Sequence, residues 1–375
     1  MNIAISTRLL LKDKLEGIGG FTHETLKRIT RQHPEHNFIF LFDRPFDQSF
    51  VYAPNVKGVS VFPPTRHPVL MWYWLEFAVP YFLKKNKVDL FISTDGWMSL
   101  STDVPTLQVC HDINFEHFPE FLPWVHRVNY QHFFPKYAQK AKRIATVSEF
   151  SKQDISATYG VAPEKIDVVY NGSNDKYTPI SSAEVEAIRR QYTDGAPYFL
   201  FIGLVHKRKN LLNLLKAFEA FKSSSDTPVK LVVVGAIKWW SGDSKDYYEQ
   251  MRYKDEVVFT GWLHNDVLHH VLGGALALSY VPLFEGFGIP ILEAMSADVP
   301  VITSDVTSMP EVAGPAALYC DPYRPETITA AMLKIYKDSE LRQGLIEKGR
   351  DRRKVFSWDQ TANLFWESIE KTLNG

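Results

Sequence analysis

Cysteine is nearly absent from this chain. Cys110 and Cys320 are the only two in 375 residues, and they fall in different halves. That excludes a disulfide framework and fits a reducing compartment. Net charge is missing as well: 42 Lys and Arg offset 43 Asp and Glu, for a formal charge of −1. No global field therefore draws nucleic acid or an anionic surface to the chain as a whole. Long apolar runs are lacking too. The most apolar stretch, Pro68 to Leu83, is interrupted by Glu76 and Pro80 and falls short of the ~20 residues that span a bilayer. Met1-Asn2-Ile3-Ala4-Ile5-Ser6 already reads as a strand, with no basic and then apolar leader before it. The expectation is a cytoplasmic protein.

Three further absences narrow the chemistry. There is no short-period repeat and no low-complexity tract. Neither the acids nor the histidines show metal-ligand spacing, so no metal is expected. No G-x-G-x-x-G follows the first strand at the spacing a dinucleotide needs, which sets aside an oxidoreductase.

What remains is a globular composition, 45% apolar and 23% charged, in a chain long enough for two domains of about 150–200 residues. Short β-rich runs alternate with helical patterns. The strand candidates are 2–6, 37–42, 90–93, 106–110, 143–147 and 165–169, then 198–203, 229–235, 257–259, 275–281, 300–303 and 317–319. That alternation argues an α/β protein with two doubly wound parallel sheets. The turn-rich stretch Asn171-Gly172-Ser173-Asn174-Asp175 puts the division between residues 1–178 and 179–356. Ser357 and Gln360 have capping-box spacing, and Ala362, Leu364, Phe365, Ile369 and Leu373 form an apolar stripe, so 357–375 reads as a closing helix.

Chemistry concentrates in Phe284-Glu285-Gly286-Phe287-Gly288-Ile289-Pro290-Ile291-Leu292-Glu293. A strand pattern precedes it, and Pro290 marks the first turn of a helix. Strand, glycine turn and helix together point backbone N–H groups and a positive helix end at a phosphate. Glu285 and Glu293 add two carboxylates, which accept strong hydrogen bonds from hydroxyls. A ligand carrying both phosphates and hydroxyls, such as a nucleotide sugar, fits both. Arg208-Lys209-Asn210 follows the first strand of the second half, and it reads either as a solvated basic turn opening a helix or as a cationic pair able to neutralise a departing diphosphate. Gly17-Ile18-Gly19-Gly20 reads as a loop ahead of a helix beginning at Phe21, with close ligand approach or a plain turn both open. His111 closes a strand beside Asp112, an acid able to fix its tautomer, and Asn114, Glu116 and His117 follow. His23 and His132 show no pattern and read as structural. Trp72, Trp74, Phe77, Tyr81 and Phe82, ending at Lys84-Lys85, read as a helix packed under the first sheet, with a bilayer-facing surface as the alternative.

The block from Glu285 through Ser304, continued by Ser308 to Gly314, resembles the signature of family 4 retaining glycosyltransferases. Thr146 to Lys152, Val168 to Gly172, Gly203 to Asn210 and the Gly17–Gly20 stretch resemble that family too. The resemblance implies the GT-B fold, two Rossmann-like domains facing a cleft, with the closing helix returned to the first. It implies a retaining, metal-independent hexosyltransferase, with a saccharide or lipid-linked saccharide acceptor, no nucleic-acid partner and a possible peripheral place at the membrane. Glu285 would face the transferred sugar and Glu293 the ribose. Gly286 and the backbone of Phe287, Gly288 and Ile289 would reach the diphosphate or sugar. Gly19 and Gly20 would lie under the diphosphate, Gly203 would open the basic turn, and His111 would steady a sugar hydroxyl. This chain has Leu204 where many relatives carry arginine, leaving that role to Arg208. Base, sugar and acceptor stay open, as do an epimerase of the same architecture and a non-catalytic nucleotide-sugar binder.

Overall fold

Apolar runs of four to six residues become the interior strands, buried on both faces, as parallel sheets with helices on each side require. A computed structural model describes residues 1–374 apart from 13, 14, 16, 175, 237–239 and 241. Among those residues β1 (Asn2–Ser6), β2 (Asn37–Phe42), β3 (Val56–Ser60), β4 (Leu90–Ser93), β5 (Thr106–Val109), β6 (Arg143–Thr146) and β7 (Ile166–Val168) form one sheet, ordered β3-β2-β1-β4-β5-β6-β7. The second holds β8 (Tyr198–Ile202), β9 (Lys230–Val234), β10 (Val257–Gly261), β11 (Ala277–Tyr280), β12 (Val301–Ser304) and β13 (Ala317–Cys320), ordered β10-β9-β8-β11-β12-β13. Every pairing is parallel. Strand order reverses between β1 and β4 and again between β8 and β11. In open α/β sheets the carboxyl side of that reversal is where ligands sit.

β3 has no counterpart among the expected strands. Val56-Lys57-Gly58-Val59-Ser60 is short, carries a lysine and a glycine, and is only partly buried. Those are edge-strand features, and they hide the alternation that marks an interior strand.

The chain divides into a first unit, residues 1–172 with the segment from Trp358 onward, and a second, Ser173–Ser357. The crossing thus comes at Gly172, not at 178. Ser173 is already bonded into the second unit: its N–H donates to the Phe356 carbonyl at 3.1 Å, and its hydroxyl lies 2.7 Å from that of Ser296. Within the first unit, a Cβ on Gly172 would stand 2.3 Å from the Trp358 nitrogen, so only glycine lets the two segment ends meet.

The closing helix, Trp358–Asn374, buries Trp358, Ala362, Phe365, Trp366 and Ile369 in the same core as Ile3, Phe21 and Phe40 of the first unit. Trp366 stacks on His33 with ring centroids 3.6 Å apart, and the hydroxyl of Ser368 donates to Asp167 at 2.8 Å.

The aromatic segment is core along one face only. Residues 68–85 run as one helical stretch with a wider π turn at Trp74–Ala78. Trp74, Leu75, Val79 and Leu83 are buried, whereas Trp72, Tyr73, Phe77 and Tyr81 are exposed. A helix turns 100° per residue, so aromatic residues at both spacings cannot share one face.

Candidate functional site

At the β8–β11 reversal, the adjacent Arg208 and Lys209 form one charged cluster with Glu285, distant in sequence. β8 ends at Ile202, Gly203 follows, and the chain turns through Lys207–Lys209. His206 caps that turn by accepting from the Arg208 N–H at 3.3 Å. Asn210 sits in the left-handed region at φ 63°. Its side-chain amide donates to the carbonyls of Val281 at 2.9 Å and Pro322 at 2.7 Å, which ties the basic turn to the end of β11. Arg208 reaches the Phe284 carbonyl at 2.8 Å.

Glu285 receives both cations. Its Oε1 lies 2.6 Å from Arg208 Nη1 and 2.6 Å from Lys209 Nζ. Lys209 also donates to the Tyr280 hydroxyl at 2.9 Å. Burial alone would push the Glu285 carboxyl up, but Arg208 and then Lys209 outweigh it and hold the group down at about 2. Two cations on one carboxylate leave a net positive charge. It stands where an incoming diphosphate would meet a helix N-terminus.

That N-terminus is prepared by the next residues. The Ser308 hydroxyl binds the carbonyls of Glu285 at 2.8 Å and Phe287 at 3.2 Å, fixing the turn from below. Gly288 precedes the helix Ile289–Ser296 at φ 102°, and a Cβ there would stand 2.8 Å from the Met309 methyl. Glycine is therefore demanded twice, by conformation and by space. Phe287 turns its ring inward against Phe356, so its backbone rather than its side chain is its chemical contribution.

Glu293 lies one turn along that helix and hydrogen-bonds Tyr177. It keeps part of its surface open, yet it is enclosed on most sides and meets no cation. Burial pushes its carboxyl up to about 7, against the pull of Tyr177. Tyr280 feels the charge of both Glu285 and Glu293, which places the two acids around one phenol. The same site thus holds one carboxylate kept ionised and one poised near neutrality.

In the first unit, the β1–β4 reversal carries its own ion pair. Arg8 follows β1 and Asp95 follows β4; Arg8 Nε donates to Asp95 Oδ2 at 2.7 Å, with Nη2 at 2.5 Å, and both residues are buried. His111 Nε2 lies 3.2 Å from the Thr94 carbonyl, and its ring meets Phe21 edge-on at 5.0 Å. Burial lowers the pKa of His111, so it is held neutral with Nε2–H donating to Thr94 and Nδ1 as acceptor. Asp112 does not set that tautomer. Its carboxylate accepts from the backbone and side chain of Asn114 at 3.0 and 2.5 Å. Glu116 accepts from the Tyr159 hydroxyl at 2.9 Å, and His117 pairs with Asp154 at 2.7 Å.

Gly19 and Gly20 are not a loop. They occupy the first turn of the helix Ile18–Gln32, with Gly17 before it at φ 50°. Propensity hid this start, because glycine is the poorest helix former after proline. First-turn glycines still leave their N–H groups uncovered by side chains, which suits an anion.

Sequence reasoning missed Tyr280, Tyr177 and the Arg8–Asp95 pair, and took Ser308 only as part of the signature without a role. Arg8 and Asp95 lie just past strand ends at the reversal, the one signal that could have found them. The tyrosines and the serine act through partners distant in sequence. Among the described residues no group of three His, Cys, Asp or Glu side chains is placed to hold a metal ion.

Comparison with known proteins identifies the family and the fold. The family described as "Glycosyl transferases group 1" matches residues 184–352, and "Glycosyltransferase Family 4" matches residues 16–177. The O-antigen chain mannosyltransferase B of Escherichia coli is 31% identical over 261 residues, 68% of each chain. The O-antigen chain mannosyltransferase RfbU of Salmonella typhimurium is 30% identical over 276 residues, 72% of each. Among solved structures, sucrose-phosphate synthase from Thermosynechococcus elongatus superposes with a TM-score of 0.78 at 16% identity, covering 99% of this chain and 98% of that one. WaaG, a glycosyltransferase involved in lipopolysaccharide biosynthesis, superposes with a TM-score of 0.73 at 17% identity over 100% of both. The shared architecture is GT-B.

Proposed function

The chain belongs to the group 1 glycosyl transferases, and from that premise we propose that it moves a hexose, mannose first among candidates, from a nucleoside diphosphate to a saccharide hydroxyl with retention at the anomeric carbon. The observation that supports this reading is the Glu285 carboxylate held ionised between Arg208 and Lys209. Mannose is favoured because curated relatives of this length are mannosyltransferases that build O-antigen chains. By the same likeness the acceptor is a growing saccharide chain.

In this mechanism the diphosphate docks against Arg208, Lys209 and the helix opening at Ile289. Glu293 takes the ribose hydroxyls. The bond from the anomeric carbon to the diphosphate oxygen breaks, and positive charge grows on the sugar ring. Glu285 stabilises that charge, while Arg208 and Lys209 stabilise the departing oxygen. The acceptor oxygen bonds to the anomeric carbon on the face the phosphate leaves, and its proton passes to the phosphate oxygen. Side-chain cations supply the neutralisation that a divalent ion provides elsewhere, so no metal is required. The place of work is the cytoplasm, a reading the two buried free cysteines support.

The test is to follow a sugar nucleotide with and without an oligomannose acceptor by NMR. Transfer with the anomeric configuration kept supports the reading. Inversion contradicts the mechanism, and interconversion of the free donor without acceptor would identify an epimerase.

A further inference from the structure

The outer face of the helical stretch 68–85 exposes a run of large apolar side chains. Its inner face is ordinary, with Trp74, Leu75, Val79 and Leu83 sunk into the core beneath the sheet. A helix that covers a core normally turns polar residues outward. Here the outward positions are Val69 at 63% exposure, Tyr73 at 49%, Phe77 at 50% and Tyr81 at 69%, spaced four residues apart, with Trp72 beside them at 46%. These rings touch one another: Tyr73 stacks on Phe77 at 5.2 Å and Trp72 meets Phe77 edge-on at 5.3 Å. Isolated exposed apolar residues need no explanation, but a continuous stripe does.

Charge beside the stripe is mainly positive, and the nearby exposed acid, Asp89, is engaged by the Asn2 N–H at 2.7 Å. Arg66 stands exposed before it, and Lys84, Lys85 and Lys87 stand exposed after it. Lys85 Nζ lies 5.9 Å from the Tyr81 ring centre. The one acid within the helix faces away: the Glu76 carboxylate accepts from the Leu100 N–H at 2.9 Å and from the Ser101 hydroxyl. Trp and Tyr flanked by cations are the residues that settle at the headgroup level of a bilayer, ring toward the acyl chains and charge toward phosphate. A protein partner covering this face would need acids to match the cations. A second copy would set those cations against their own kind. The helix is also not of the kind that crosses a membrane, since no helix among the described residues is long and apolar enough to do so.

We propose that the outer face of residues 66–87 docks the first unit on an anionic lipid surface, with Trp72, Tyr73, Phe77 and Tyr81 inserted at headgroup depth and Arg66, Lys84, Lys85 and Lys87 on lipid phosphates. This goes beyond sugar transfer and is measured without it. The full chain is co-sedimented with vesicles of phosphatidylcholine alone and of phosphatidylcholine mixed with phosphatidylglycerol, over a range of salt. Binding to the mixed vesicles, weakening as salt rises, is expected. The triple variant Trp72→Ser, Phe77→Ser, Tyr81→Ser should lose at least about tenfold in vesicle affinity while keeping its thermal melt and its transfer to a soluble acceptor. Lys84→Glu with Lys85→Glu, which touches no apolar contact, should abolish the preference for the anionic vesicles. The proposal is overturned if the native chain ignores both vesicle types or if the variants bind as it does. It is equally overturned if light scattering shows a dimer that the triple variant dissolves, since a second copy would then cover the face.

Discussion

Lys209 Nζ lies 2.6 Å from Glu285 Oε1, and Arg208 Nη1 comes equally near the same oxygen. Residues from two different loops are thereby made one unit, and their contributions cannot be separate. Glu285→Ala is expected to lower kcat by at least about a hundredfold, the scale of losing one preorganised charge at a transition state. Lys209→Ala alone should raise KM and lower kcat. In the Glu285→Ala background it should cost several-fold less, because its partner is already gone. Equal cost in both backgrounds, with both variants melting cooperatively, would mean the contact has no part in the chemistry.

Glu293 carries the pH dependence. Burial raises its pKa in the folded chain from the ordinary 4.5 to about 7. The folded chain therefore holds this proton while the unfolded chain has lost it. Stability must fall as pH climbs from about 4.5 to 7, and the full cost persists above. Glu293→Gln, which stays neutral, should match the native melting temperature near pH 4.5. By pH 8 it should exceed it, by on the order of 1–3 kcal/mol in unfolding free energy. Donor affinity of the native chain should show the opposite trend and strengthen as Glu293 ionises toward pH 8, a dependence the glutamine variant lacks. Parallel melting curves at all pH values would refute the assignment.

Gly288→Ala tests the turn ahead of the helix. At φ 102°, with the Met309 methyl 2.8 Å from the new Cβ, alanine is strained twice. About 1–3 kcal/mol of stability should be lost. Donor KM should rise with it, because the amides beyond the turn shift. Gly344 lies in open space within a helix and is the control: Gly344→Ala should be neutral or mildly stabilising.

Much of this was legible beforehand, for identifiable reasons. Interior strands announced themselves because burial on both faces demands continuous apolar runs such as Tyr198-Phe199-Leu200-Phe201-Ile202. β3 did not, being an edge with a lysine and a glycine in five residues. Glu285, Arg208 and Lys209 stood out as charges next to strand ends, but their mutual pairing depends on β8 and β11 being neighbours, which spacing along the chain does not encode. Tyr177 reaches Glu293 from a loop more than a hundred residues away. The start of the helix at Ile18 was masked by its own glycines, and the exposed aromatic face by the buried one interleaved with it.

Chelation separates side-chain from metal neutralisation of the leaving group. If Arg208 and Lys209 carry that charge, exhaustive treatment with EDTA leaves the transfer rate within about twofold, and added magnesium does not raise it. Loss of activity on chelation, restored by a divalent ion, would transfer the role to a metal.

Calorimetric titration of the full chain with GDP-mannose, UDP-glucose and ADP-glucose bears most directly on the claim that the Glu285 cluster grips a sugar nucleotide. One of the three should bind at a single site, and Lys209→Ala should weaken that binding by at least about tenfold while the variant's thermal melt stays cooperative. No heat with any of them, or an affinity that Lys209→Ala leaves unchanged, would contradict it.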